Sequence, residues 1–235
     1  MMKLLNAYFS TLVVCAVLVL IIESLRKFKL VPTTISRKLT HILIGALFVL
    51  CWNFFPDSIY SKWLAASIPF TFGLVFFLIG CGLVKYDNAV RSLCRTGNPH
   101  ELLLGPVHYG IIITCATLFY WKKVESIPLI MILCFGDGLA DVCGQIRKGN
   151  YKLIWNNHKS LYGFLAFIIF SILSCLFYGW YFEINNWISI NWSEYTLSII
   201  YISIGCALTE TFTVPEWDNF TISAMSILLT KINHL

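Results

Sequence analysis

The sequence predicts an all-α fold, a polytopic membrane helical bundle of seven to eight transmembrane helices. Three observations carry that prediction. The 235 residues are 58% hydrophobic and only 12% charged, where a soluble domain carries about 25% charged residues. The mean hydropathy is +0.75. The apolar residues also fall into long runs, and a spanning helix needs about 20 of them. Seven or eight spans consume roughly 140–160 positions and leave only short loops. The chain 1–235 therefore reads as a single integral-membrane domain with no room for an appended soluble one. A water-soluble globule, a disordered chain and a disulfide-stapled secreted module are excluded.

Taken in order, the apolar runs cover residues 8–22, 39–55, 63–84, 102–121, 127–144, 161–182, 195–214 and 220–230. The first has one basic residue ahead of it and no small-x-small cleavage site after it, so it reads as a retained span and not a signal peptide. No Arg- and Ser-rich leader is visible, so the organelle stays open. The last run is the weakest and is short for a span; lying in the interface is its other reading.

Eight spans put the loops on alternating sides, and the basic residues divide between them. Of the 17 Lys and Arg, 12 fall on the side of loops 1–2, 3–4, 5–6 and 7–8. The positive-inside rule makes that side the cytosol or its topological equivalent and puts both termini opposite. The net charge of +5 follows from this topology, so no nucleic-acid partner is expected. Cys15, Cys51, Cys81, Cys115, Cys134, Cys175 and Cys206 lie in apolar runs, and no CxxC pair occurs among the nine cysteines. They read as small hydrophobes and not zinc ligands.

Every polar cluster capable of chemistry falls on the basic side. Asp137 and Asp141 sit four apart in an otherwise apolar run. On a helix they share one face, with Cβ atoms about 5–6 Å apart. An acidic residue at mid-membrane costs about 2.5–3.5 kcal/mol, and two neighbours also repel. A divalent cation between them relieves both costs, since Mg²⁺ takes carboxylate oxygens and keeps substrate phosphates as further ligands. A proton or ion relay is the competing reading, and spacing alone does not choose. Gly136, Gly138 and Gly144 leave room for a phosphate to approach the backbone.

Gly144-x-x-x-x-Gly149 is followed by Asn150 and Tyr151 and not by Lys-Ser/Thr, so it is not a Walker loop. The basic loop beyond it holds Arg147, Lys148, Lys152, His158 and Lys159, most of which plain positive-inside charge explains. Lys159-Ser160, opening the sixth span, is the part expected to bind phosphate, with a helix N-terminus adding amide donors. Glu210 ends the seventh apolar run, where a carboxylate needs a reason. The turn Pro215-Glu-Trp-Asp-Asn219 needs none by itself.

These residues resemble a known family. The matching stretches are Arg37-Lys38-Leu39-Thr40-His41, the run from Arg95 through Glu101 and Gly105-Pro106 to Tyr109, Gly136-Asp137-Gly138-Leu139-Ala140-Asp141 through Gly144, Lys159-Ser160-x-x-Gly163, and Glu210 with Asp218-Asn219. In kind and order they are similar to the phytol/farnesol kinase branch of the CTP-dependent polyprenol kinases, a family related to dolichol kinase and CDP-lipid synthases. The second stretch is the most specific to that branch. Gly97-Asn98 and Trp217-Asp218-Asn219 stand where the family often has Gly-Asp and Asp-Asp-Asn.

The resemblance implies a membrane-embedded kinase. It would move the γ-phosphoryl group of CTP, or a similar nucleotide, with Mg²⁺, onto an isoprenoid alcohol of the phytol, farnesol or geranylgeraniol class. Asp137 and Asp141 would then bind the metal. Lys159, with Arg37, Lys38 or Arg95, would hold the phosphates, and Gly136, Gly138, Gly144, Ser160 and Asn219 would complete the nucleotide site. Glu101, Glu210 or Asp218 would be the base. A site at the cytosolic boundary lets the acceptor's tail stay in the lipid bilayer while the nucleoside triphosphate arrives from water. The alternatives are a CDP-lipid synthase-like cytidylyltransferase and a small ion-coupled transporter. The alcohol's chain length and the oligomeric state stay open.

Overall fold

The computed structural model describes residues 2–86, 90, 93–94, 96–146, 151–214, 217–233 and 235. The chain divides into two compact units, Met1–Trp121 and Lys122–Leu235. Among the described residues, seven helices are long and apolar enough to cross a membrane. This is an integral membrane protein.

The first unit holds α1 (Met2–Lys27), α2 (Thr33–Leu50, running on into a 3-10 turn Cys51–Phe54), α3 (Ser61–Gly80) and α4 (Glu101–Phe119). In α1 the buried residues are Ala7, Thr11, Cys15 and Ile22, small or spaced along one stripe. Phe9, Val13 and Leu20 point outward, more than half exposed. An apolar residue turned away from the protein is stable only where the solvent is lipid. Helices α3 and α4 meet closely at glycine: a Cβ on Gly110 would stand 3.2 Å from the Gly73 Cα and 3.3 Å from the Pro69 carbonyl. Tyr109 on α4 donates its hydroxyl to the His41 carbonyl of α2 at 2.9 Å, so α2 and α4 are tied as well.

The second unit begins with α5, which has three consecutive parts: Ser126–Met131, a π-helical turn Ile132–Asp137, and Gly138–Ile146. A two-stranded hairpin follows, β1 (Lys152–Leu153) antiparallel to β2 (Asn156–Ser160), and then α6 (Leu161–Ile184), α7 (Trp192–Phe212) and α8 (Asp218–Ile232). Residues Ile130, Met131, Ile132, Leu133 and Cys134 of α5 are fully buried. The π turn winds its residues more widely than an α-helix, so it resets the helix face just where Asp137 begins the polar stretch.

The eighth helix differs from the others. With 15 residues it is about 22 Å long, short of a hydrocarbon core of about 30 Å. Its buried face is Asn219, Ile222, Ser223, Ser226 and Thr230, while Leu228 and Ile232 are more than half exposed. Polar inside and apolar outside is the reverse of a soluble helix, and it suits a lipid-facing position at the bundle edge.

The glycines of α4 give a stability test. Gly105 has no neighbour within 4 Å of an added Cβ, whereas Gly110 is closed off by α3. Gly110→Val should lower the thermal midpoint in detergent, by the equivalent of about 1–3 kcal/mol of overpacking. Gly105→Ala should leave it unchanged or raise it, because Ala favours helix over Gly by up to about 1 kcal/mol. Equal midpoints for the two variants would show that the close crossing at Gly73–Gly110 is not real.

Candidate functional site

The second unit carries a cleft of about 150 Å³ at the junction of α5, the hairpin, the start of α6 and the end of α7. Asp141 and Gly144 reach it from α5, Ser160 and Phe164 from the entrance to α6, and Glu210 and Thr211 from the last turn of α7. Lys152, His158 and Lys159 line it from the hairpin. Two carboxylates thus share one small space with two ammonium groups and an imidazole.

The hairpin's register explains how it presents those cations. Lys152 pairs with Ser160 and Leu153 with Asn156, so residues 157–159 are extra to the ladder. Such a bulge breaks the alternation of a strand and re-aims its side chains. His158 and Lys159 lie in it. Tyr151, at φ 65°, turns the chain into the hairpin, and its carbonyl accepts the Leu161 amide at 2.9 Å.

Lys159 makes an ion pair with Glu210, 51 residues away in sequence. The two side chains are 27% and 8% exposed. Asp137 and Asp141 also lie close enough to act electrostatically on Glu210. Three carboxylates therefore gather near one another, one of them paired with Lys159. Asp141 lines the cleft, while Asp137, one helical turn away and 5% exposed, does not.

Glycine allows α5 and α6 to come this close. A Cβ on Gly163 would stand 3.0 Å from the Ala140 carbonyl and 3.6 Å from the Gly144 Cα, and one on Gly144 would stand 3.0 Å from the Ser160 hydroxyl. The space that Gly144 leaves is therefore taken by α6, although Gly144 also borders the cleft. Gly136 is farther along α5, where a Cβ would strike Ser171 and the Phe167 ring. Helix packing accounts for the missing side chain there. The start of α6 is also less open to an anion than its position suggests. The Leu161 amide is held by Tyr151, and the Gly163 amide donates to the Ser160 hydroxyl at 3.1 Å.

Sequence reasoning missed the contacts that hold the hairpin. The Trp155 indole donates to the Thr211 hydroxyl at 3.1 Å, and the Asn156 side-chain amide donates to the Thr211 carbonyl at 2.7 Å. Thr211 is in the last turn of α7, whose carbonyls have no partner within the helix. Asn156 satisfies one of them. Lys152 and His158, for which positive-inside charge is explanation enough in the sequence, both line the cleft.

The other expected residues have different surroundings. Neither Gly138, Asp218 nor Asn219 lines the cleft. Asp218 accepts the Asn219 amide at 2.8 Å in the first turn of α8. Glu101, in the first unit, accepts the Thr96 amide at 2.8 Å and the Thr96 hydroxyl, so its carboxylate shapes the turn ahead of α4. Arg37 and Lys38 stand in α2, with Lys38 buried at 9% exposed. Arg37 and Glu101 both act on Cys94, whose thiol burial pushes up to about 11. Arg95 lies outside the described residues, as do Arg147 and Lys148.

The donor set can be tested for a metal. Among the described residues, no three His, Cys, Asp or Glu side chains converge to hold an ion by themselves. Asp137 and Asp141 supply oxygen alone, and both act electrostatically on Glu210. That fits Mg²⁺, which is typically held by one or two carboxylates with substrate phosphates and water completing its shell.

Among curated proteins the chain is 35% identical over 213 residues to "Probable phytol kinase 2, chloroplastic" of Oryza sativa subsp. japonica, covering 89% of this chain and 69% of that one. It is 31% identical over 220 residues to "Phytol kinase 1, chloroplastic" of Arabidopsis thaliana, with 92% and 72% covered. With "Farnesol kinase, chloroplastic" of the same plant it shares 36% over 195 residues, covering 82% and 63%. No family model matches the chain. No solved structure matches it significantly.

The ion pair makes a stability prediction that is independent of any reaction. Lys159→Met leaves the more deeply buried Glu210 carboxylate without its cation and should cost about 3 kcal/mol. Glu210→Gln leaves an ammonium that still reaches water, so it should cost less. The double variant should recover at least about 1 kcal/mol relative to the sum of the two. Denaturation in detergent reads all three, and strict additivity would mean that the pair does not form.

Proposed function

Because the chain belongs to the phytol and farnesol kinase family, we propose that it transfers the γ-phosphoryl group of CTP to the hydroxyl of an isoprenoid alcohol, releasing CDP and a prenyl monophosphate. The observation that carries this reading is the cleft itself. Lys152, His158 and Lys159, suited to phosphate, share it with the carboxylates of Asp141 and Glu210 at the end of apolar helices, and Asp137 lies one turn behind Asp141.

Phosphoryl transfer asks chiefly for positioning and charge neutralisation. Lys159 is the principal phosphate ligand, with Lys152 and His158 beside it. Asp137 and Asp141 would hold Mg²⁺, which would supply charge neutralisation for the phosphates. Glu210 is the proton acceptor of choice, since it lines the cleft, whereas neither Asp218 nor Glu101 does. When a phosphate takes the Lys159 ammonium, the Glu210 carboxylate is released from its ion pair to accept the alcohol proton. The acceptor's tail remains in lipid and only its hydroxyl enters the cleft. The basic loops favour the cytosolic side or its equivalent for the cleft. The named relatives are chloroplastic, which makes a plastid-type membrane the first one to test.

Purified protein in detergent with labelled CTP and farnesol or phytol tests the reading directly. Prenyl phosphate supports it; a CDP-lipid would indicate a cytidylyltransferase, and no reaction would leave transport in its place. Asp137→Asn and Asp141→Asn should each lower turnover roughly a thousandfold, which is several kcal/mol of lost charge stabilisation. Neither should unfold the protein, because each removes one of several neighbouring negative charges. Mg²⁺–CTP should raise the thermal midpoint of the wild type and not that of the variants, since a ligand stabilises only what it binds. Near-normal turnover in either variant would remove the pair from the metal site.

A further inference from the structure

The hairpin that carries Lys159 is not held by its own ladder. β1 has two residues, and the bulge leaves only two pairings, Lys152 with Ser160 and Leu153 with Asn156. A ribbon of this size is not stable alone in water. Its tip is also solvent- or lipid-exposed, with Ile154 at 97%. Beside the Lys159–Glu210 ion pair, one residue of α7 fastens it by hydrogen bonds. Thr211 is fully buried. Its hydroxyl accepts from the Trp155 indole while donating to the Leu208 carbonyl at 2.7 Å, and its carbonyl accepts from Asn156. Every polar group that Thr211 can offer beyond its amide is thus engaged, two of them with the hairpin. Glu210, the partner of Lys159, is the preceding residue. The Trp155 ring also stands edge-on to Phe164, centroids 6.0 Å apart, at the α6 wall of the cleft.

We propose that Thr211, with Trp155 and Asn156, is the positioning device of the site: it fastens the hairpin to α7 so that Lys159 is delivered to the phosphate position. This rests on the phosphate-binding reading of the cleft, and none of the three residues takes part in the chemistry. The fastening governs the nucleotide side of the reaction alone, because the hairpin contributes the cations and the acceptor's tail lies in lipid. A neutral hydrogen bond contributes about 0.5–1.5 kcal/mol, which corresponds to a two- to tenfold change in affinity.

The test uses the full-length protein in detergent. Thr211→Val and Trp155→Phe each remove the same hydrogen bond while keeping shape and ring. Each should raise the KM for CTP two- to tenfold and leave the prenol KM unchanged. The double variant should be no worse than the poorer single one. Thr211→Ser, which keeps the hydroxyl, should behave as the wild type. Wild-type kinetics in both single variants, additive effects in the double variant, or equal shifts in both KM values would overturn the proposal. A variant that is merely unstable shows itself by a lowered midpoint without ligand, and Thr211→Ser then decides the role of the hydroxyl. Should the wild type phosphorylate no prenol, the kinase reading fails while the fastening is still measurable. Inorganic tripolyphosphate should raise the midpoint of the wild type and of Thr211→Ser more than that of Thr211→Val or Trp155→Phe, and equal rises in all four would contradict it.

Discussion

An ionic group surrounded by apolar helices is stable only beside its counter-charge, because a medium of low polarisability cannot screen it. The second unit is organised around that constraint. Lys159 and Glu210 come from elements far apart in sequence, and several features serve to bring them together. The hairpin bulge frees Lys159 from the strand ladder. Asn156 and Trp155 tie that hairpin to Thr211. Gly144 and Gly163 let α5 approach α6 closely enough for Asp141 and Ser160 to line one cleft. Asp137 and Asp141 lie near enough to add their negative charge to that of Glu210. Under the proposed function a divalent cation carrying phosphate would answer that excess of negative charge, the cation meeting the carboxylates and the phosphate meeting Lys159.

Lipid as the outer solvent explains the remaining architecture. Apolar side chains along α1 and α8 point away from the protein, and hydroxyls along α8 point in. A substrate with an isoprenoid tail and a single hydroxyl has the same division of character. Under the proposed function its tail would stay in the membrane while its hydroxyl reaches the cleft.

The membrane class, the order of the helices and the first seven spans were legible in the sequence, because twenty-residue apolar runs have few other uses. Asp137, Asp141 and Glu210 were legible for a related reason: a carboxylate in such a run is costly and therefore needs explaining. The hairpin was not. Two-residue and five-residue strands carry no periodicity, and Lys152 and His158 could not be told from topological charge. Trp155, Asn156 and Thr211 carry no signal at all until the fold places them together. The glycines were read for phosphate, but at Gly136 the structure shows a helix contact that the same residue type serves equally well. A sequence cannot say which neighbour an absent side chain makes room for.

The central claim is that one cleft in the second unit holds a metal and a nucleotide phosphate together. Mn²⁺, used in place of Mg²⁺, reports on this by electron paramagnetic resonance in bilayer-embedded protein with a non-hydrolysable CTP analogue. The account predicts one bound Mn²⁺ per chain with resolved coupling to ³¹P, lost in Asp141→Asn. Mn²⁺ bound without phosphorus coupling, or bound equally well when Asp141 is replaced, would contradict it.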